Sequence, residues 1–500
     1  MSLLGIDVGT TGCKAVVFSL EGKLLASAYE EYDVQRIQPG YAVLDTVRVW
    51  EKVKTAIRGV TILSKVDPIQ ALSVSSLGEA LVPVTHNRQM LGSSLLNFDQ
   101  RGNEFLPELS NILDSEHLYH VNGNTLGNHY SLTKLLWLKT YQPKLYESTD
   151  YFLHWSGFVS FMLGADPFVD YSLANRTLLF DLDQTCWSDE LFRLVGLDCT
   201  KLPMPVPSGT VIGEVSSRIA DELGLLSSVV IVAGAHDQCA SALGCGVIRE
   251  GQAMYGMGTY ICITPVFGQR KNPAQMISLG LNTEHHAVPG LYASFIYNPG
   301  GSLVKWYRDT FAVVEKKLAL DTGRDIYADL ISEIPQQPSE VLVLPHFAPT
   351  GPPEFISDSS GVMIGLKLDT KREDILKGIL EGTMYYLKEC IDALPATGIS
   401  IDDFRAVGGG SKSDAWLQIC ADIMNRPIIR PAITEAGALG AAILAGIGKG
   451  IFPNAQAGVE MMVKLEHKFE PDKVQVVRYA QRYEKYRQIW PLMQHFLKRL

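Results

Sequence analysis

The chain of 500 residues lacks several features that would place it in other classes. Its eight cysteines (Cys13, Cys186, Cys199, Cys239, Cys245, Cys262, Cys390, Cys420) contain no Cys-x-x-Cys pair and mostly fall within apolar runs. That argues against a zinc site or a disulfide frame and for reduced thiols in a cytoplasmic core. No apolar run reaches the roughly 18 to 20 residues that cross a bilayer; Ala436 to Gly448 is the longest weakly polar stretch, 13 residues of mostly Ala and Gly. No basic block precedes the first apolar residues, and Asp7 arrives too early for a secretion signal, so the N-terminus reads as fold. There is no long like-charge block, and the net charge of −10 favours solubility over electrostatic nucleic-acid binding. The common nucleotide motifs are missing too. No Gly-x-x-x-x-Gly-Lys-Ser/Thr occurs, and Gly256-Met-Gly258 begins a dinucleotide fingerprint without its third glycine.

What is present describes an ordinary globular protein, with 46% hydrophobic and 20% charged residues. The length exceeds what one growing core supports, so two domains are expected. The halves repeat one order of events. Each opens with a Gly/Thr turn between β-prone runs, Gly5-Ile-Asp-Val-Gly-Thr-Thr and Tyr255-Gly-Met-Gly-Thr-Tyr, and each closes with a small-residue helix, beginning near Asp237 and Glu435. A duplicated domain with a cleft between the copies follows, with the break near Gly246 to Gly251. Helical spacing predicts a helix within Asp369 to Leu394, and Phe404 to Val407 reads as a short buried strand. It runs into Gly408-Gly409-Gly410 and a helix from about Ser411 to Asn425, an element able to present N–H groups to phosphate or ribose. At the C-terminus, Tyr479, Tyr483, Tyr486, Trp490, Met493 and Leu497 form one stripe of a long helix with an expected kink at Pro491. The stripe is assigned to packing or to a subunit contact, which leaves room for a homodimer.

The first turn poses a problem of charge. A hairpin tipped by Gly9-Thr10-Thr11-Gly12, with Lys14 following, can direct N–H groups and hydroxyls at phosphate oxygens, yet Asp7 stands two residues before it. Alone it reads as a plain hairpin. A second turn, Gly256-Met-Gly258-Thr259, allows a polyphosphate to be clamped from both sides of a cleft, with a metal ion between the two sets of negative charge. Asp237 follows a strand-like run and precedes a small-residue helix. It reads either as a helix N-cap or as a general base that deprotonates an alcohol attacking a γ-phosphoryl group, with His236 as a hydrogen-bonding neighbour. Two polar clusters, Ser75-Ser76-Leu-Gly78-Glu79 and Asn97-Phe98-Asp99-Gln100-Arg101, read equally as solvated loops or as the wall of a pocket for a molecule with many hydroxyls.

These pieces, with Thr133-Lys134-Leu-Leu-Trp137, Gly300-Gly301-Ser-Leu-Val-Lys-Trp306 and Glu435-Ala-Gly437-Ala-Leu-Gly440, resemble the FGGY carbohydrate kinases of the sugar kinase, Hsp70 and actin superfamily. The resemblance runs from Leu3 nearly to the C-terminus. It implies an α/β fold of two ribonuclease-H-like domains around a deep cleft: a sugar-binding N-terminal domain (1–246), an ATP-binding C-terminal domain (247–455) and a helical segment (456–500) packing on them. It further implies Asp237 as base, Glu79, Asp99, Arg101 and Gln238 with Asp237 in the sugar subsite, and Asp7 toward Mg²⁺. Thr10, Thr11, Lys14, Gly258, Thr259, Gly301, Gly409, Gly410 and Ser413 would hold ATP. The chain departs from family patterns chiefly at sugar-facing elements: Leu77-Gly78-Glu79 replaces the Met-His-Gly of many xylulose kinases, and Phe98 replaces a Trp.

The expected activity is ATP-dependent phosphorylation of a hydroxyl on a small sugar, ketose or polyol, in the cytoplasm, without nucleic-acid or membrane partners. An actin- or Hsp70-like ATPase and a sugar sensor without catalysis are the alternatives.

Overall fold

The computed structural model describes residues 1–63 and 67–499. In the first lobe, Ser2–Val8, Gly12–Ser19 and Leu24–Glu31 form an antiparallel meander. Ile69–Ser76 and then Val230–His236 add in parallel beyond the first strand, and Val211–Glu214 closes that edge antiparallel. The second lobe repeats the plan. Gly251–Met257, Tyr260–Phe267 and Ile296–Pro299 make the meander, Ile401–Val407 and Ile428–Pro431 add in parallel, and Leu465–Phe469 closes antiparallel. Val230–His236, buried along its whole length, is a near-continuous apolar run, as expected of a parallel strand covered on both faces. Ile401–Val407 and the 22-residue helix Arg372–Ala393 lie where the periodicity puts them.

The small-residue helix that ends the second half in chain order packs on the first lobe. Ala436–Gly448 lies on the first lobe's sheet, against Ser2–Val8, Ile69–Ser76 and Val230–His236, and crosses the helix Asp237–Gly244. Its Ala438, Leu439, Ala442 and Ile443 share one core with Leu3, Val16, Phe18, Ala71 and Val232. The glycines explain the closeness. A Cβ at Gly440 would sit 1.9 Å from the Ala240 carbonyl oxygen, one at Gly244 1.9 Å from that of Ala436, and one at Gly5 1.8 Å from that of Ala438.

Gly440→Ala therefore sets two effects against each other. Alanine gains about 1 kcal/mol of helix propensity, but its methyl group must displace backbone rather than a movable side chain, and overpacking costs about 1–3 kcal/mol or more. The second effect wins, so urea denaturation is expected to show a lower midpoint for the variant; an unchanged or raised midpoint would contradict the close crossing.

The C-terminal stripe is divided between two helices, Lys473–Tyr486 and Ile489–Leu497, instead of one kinked helix. The break precedes Pro491, which sits in the first turn of the second helix, where a missing N–H leaves no bond unmade. Tyr483 and Tyr486 pack on Tyr385 of the same lobe, with ring centroids 5.7 and 5.3 Å away, so this part of the stripe is packing. All eight cysteines are free thiols. Among the described residues no helix is long and apolar enough to cross a membrane.

Candidate active site

The two Gly/Thr turns and the two crossed helices meet at the cleft. The first turn is a hairpin: Asp7 pairs with Lys14 and Val8 with Cys13, and Gly9 N–H donates to the Gly12 carbonyl at 2.9 Å. Thr10 and Thr11 occupy its tip, Thr11 exposed. In the second lobe Gly258 N–H donates to Tyr260 O at 3.2 Å. The helix Gly301–Phe311 begins directly on that turn, with Gly301 N–H donating to Gly258 O at 3.0 Å and Ser302 N–H to Thr259 O at 3.0 Å. Only glycine fits at 301, because a Cβ would lie 2.4 Å from the Gly258 carbonyl oxygen. Gly408, with φ of 86°, lets the following Gly409–Lys412 turn lie against Met257, whereas a Cβ at Gly409 would meet nothing within 4 Å. Ser413 caps the helix Asp414–Met424 by accepting from Trp416 N–H.

A cavity of about 230 Å³ joins the two lobes, lined among others by Asp7, Lys14, Gln238, Gly258, Gly408 and Glu435. Of the residues assigned from the sequence, the cavity brings together Asp7, Lys14, Gln238 and Gly258. Lys14 Nζ pairs with the Glu435 carboxylate across it. Asp7 accepts from the Ser75 hydroxyl at 2.6 Å. The first turn of Ala436–Gly448 rests on the same carboxylate, since a Cβ at Gly437 would lie 3.0 Å from Asp7 Oδ2. Burial first, then the charge of Asp237, raises the Asp7 carboxyl to about 6. A carboxylate oxygen so poorly compensated by its own protein is a donor suited to a hard divalent cation.

Asp237 is the first residue of its helix; His236 occupies the N-cap position and makes no side-chain cap. The N-cap reading of Asp237 is thereby corrected: its carboxylate points to side chains instead. Oδ1 accepts from Gln238 Nε2 at 3.1 Å and lies 3.3 Å from His236 Nε2.

The polar clusters assigned to the sugar subsite are strongly paired within the protein. Asp99, fully buried, holds Arg101 in a two-pronged ion pair at 2.9 and 2.6 Å and accepts from Ala42 N–H. The Arg101 guanidinium lies over Tyr41 and Trp137, 4.3 and 4.9 Å from their ring centroids. Lys134 donates to the carbonyls of Asp99 and Arg101, and burial pulls its ammonium down to about 7. Glu79 sits at φ of 62°, a conformation rare for a side chain of its size, and pairs with Arg176.

Sequence reasoning missed Arg176 and Glu284. Arg176 Nε donates to Glu79 at 2.7 Å, and its Nη1 lies 3.4 Å from Glu284, which in turn accepts from His236 Nδ1 at 2.8 Å. All four side chains are buried. The available signal was a charge inside an apolar run, as in Leu173-Ala-Asn-Arg176-Thr-Leu-Leu; the partners, a hundred residues apart, leave no local trace.

Comparison with known proteins agrees with this architecture. The pattern described as "FGGY family of carbohydrate kinases, N-terminal domain" matches residues 2–244, and that of the family's C-terminal domain matches residues 255–448. The chain belongs to the FGGY family of carbohydrate kinases. Xylulose kinase of Bacillus subtilis (strain 168) is 26% identical to this FGGY kinase over 492 residues, 98% of this chain and 96% of that protein. Autoinducer-2 kinase of Salmonella typhimurium is 28% identical over 506 aligned residues, 98% and 94% of the two chains. Among solved structures, xylulose kinase from Rhodospirillum rubrum superposes with a TM-score of 0.86 at 25% identity, covering 99% of this chain and 100% of that one. Plasmodium falciparum glycerol kinase with ADP superposes at 0.84 and 20% identity, covering 99% and 98%. The FGGY kinase thus shares the two-domain, actin-like ATPase fold of these enzymes.

Proposed function

We propose that this FGGY kinase transfers the γ-phosphoryl group of ATP to a hydroxyl of a small neutral sugar, ketose or polyol, with Asp237 as general base. The observation that carries this reading is that Arg101, Arg176 and Lys134, the cations described around the sugar-side wall, are paired within the protein. Arg101 is matched by Asp99, Arg176 by Glu79 and Glu284, and Lys134 by two carbonyls. A sugar carboxylate or phosphate entering there would have to break a buried pair, at a cost of several kcal/mol, whereas a neutral hydroxyl can share lone pairs and donors already in place.

Asp237 would take the proton of the attacking hydroxyl. That oxygen forms the new bond to the γ-phosphorus as the bond to the bridging oxygen breaks, and ADP leaves. On this reading Thr10, Thr11 and Lys14 meet the terminal phosphates from the first lobe, Gly258 and Thr259 from the second, and Gly301, Gly409, Gly410 and Ser413 border the nucleoside. Asp7 would hold Mg²⁺, which when bound supplies positive charge to the transferring phosphoryl oxygens. Lys14 is drawn from Glu435 toward the phosphates, and closure of the lobes excludes water that would otherwise accept the phosphoryl group. The enzyme is proposed to work in the cytoplasm.

The experiment is an ADP-release assay with a panel of neutral ketoses, aldoses and polyols beside sugar acids and sugar phosphates. Turnover is expected with members of the first group only. Turnover confined to sugar acids would overturn the neutral-substrate reading, and sugar-independent ATP hydrolysis would favour the actin- or Hsp70-like alternative.

A further inference from the structure

His236 is anchored twice, by different lobes. Its backbone N–H donates to the Ser172 hydroxyl at 2.8 Å, within the first lobe. Its ring is held at Nδ1 by Glu284 at 2.8 Å. Glu284 lies in a strand, Glu284–His285, that pairs with Tyr292–Ala293 and through it with the second lobe's sheet. The ring also stands edge-on to Phe295, 5.4 Å between centroids. Its remaining nitrogen, Nε2, faces Asp237 Oδ1 at 3.3 Å. Gln238 donates to the same Oδ1, so both neighbours face one oxygen of the carboxylate and leave Oδ2 for an incoming hydroxyl.

We infer that Glu284 and His236 form a positioning pair for Asp237: His236, hydrogen-bonded to Glu284 and standing against Asp237 Oδ1, fixes which oxygen of Asp237 accepts the proton, and Glu284 makes this depend on the second lobe's position. The inference rests on the assignment of Asp237 as base. His236 and Glu284 are positioning residues, since neither is placed against substrate.

The charges around the ring fit this role. Burial disfavours the imidazolium, but Glu284 and then Asp237 more than offset it and raise the group to about 9. The other groups facing it are Arg176, which opposes its charge, Asp170, which favours it, and His154, which burial pulls down to about 3 and keeps neutral. The Cys239 thiol, 3.6 Å from Glu284, is pushed well above its usual range by burial and adds no charge.

The experiment compares pH profiles of kcat and kcat/KM for the wild type, His236→Gln, Glu284→Gln and Asp237→Asn, with the sugar found active above. His236→Gln is expected to lower kcat by on the order of tenfold to a hundredfold, less than the roughly 10²–10⁴-fold a lost base costs, with little change in KM for ATP. The alkaline limb of the wild type, near the value for His236, should disappear. Glu284→Gln is close in shape and tests the charge alone: its alkaline limb should move to lower pH. Loss of kcat with the alkaline limb unmoved would overturn the inference and leave His236 a packing residue. Wild-type profiles in both variants would do so as well. Full turnover by Asp237→Asn would instead remove the base assignment itself, whatever the other two variants do.

Discussion

Asp237→Asn is expected to retain ATP binding and to lose about 10²–10⁴-fold in kcat. The substitution keeps the shape of the side chain and an oxygen for His236 Nε2, so the first turn of Asp237–Gly244 and the buried network behind it have no reason to rearrange. What disappears is the only feature the proposed chemistry needs, a carboxylate oxygen able to take a proton from the attacking hydroxyl. Nucleotide binding should survive because Asp237 is not among the residues proposed to hold ATP. The check is twofold: steady-state ADP release with the active sugar, and the rise in melting temperature on adding ATP, which reports binding independently of turnover. Turnover within a few-fold of wild type would refute Asp237 as the base.

Arg176→Met is expected to be the most destabilising single change around the site. Methionine fills much of the same volume but leaves Glu79 and Glu284 as two buried carboxylates without their shared cation. Removing one partner of a buried pair costs about 3–5 kcal/mol. The loss is compounded by the guanidinium's position over Tyr130, 4.8 Å from the ring centroid, where a cation contributes about 0.5–2 kcal/mol. Glu79, at φ of 62°, would keep its backbone bond from the Ser131 hydroxyl but lose its carboxylate's partner. Chemical denaturation should show a clearly lower midpoint, and the double variant with Glu79→Gln should recover part of the loss by removing one uncompensated charge. A single-variant midpoint equal to wild type would mean that the carboxylates are not desolvated as described.

The sequence carried the repeated lobe plan because local patterns carry it. Apolar runs bounded by Gly/Thr turns specify the two meanders, and the periodicity of the 369–394 region specifies a helix. The hairpin around Gly9 to Gly12 and the helix after Ser413 were readable for the same reason. What could not be read is what depends on partners far apart in the chain. Nothing near Ala436 indicates that its helix covers the sheet formed by Leu3 and Val16, and nothing near Glu79 indicates that Arg176 neutralises it. Glu284 is more hidden still, for its role arises only where a strand of the second lobe reaches the first. Asp237 stood out because a carboxylate at a strand-to-helix junction is a local signal; its surroundings were not local.

The placement of Ala436–Gly448 has a consequence for how the protein is made. The first sheet is complete once Val230–His236 has left the ribosome, yet the helix that covers one of its faces begins 200 residues later, at Ala436. At synthesis rates of about 5–20 residues per second, that face waits on the order of ten to forty seconds for its own cover. During that interval Leu3, Val16, Phe18 and Val232 offer an uncovered apolar surface, the kind that chaperones bind and that drives aggregation. The two lobes are consecutive in the gene but cannot be finished in that order.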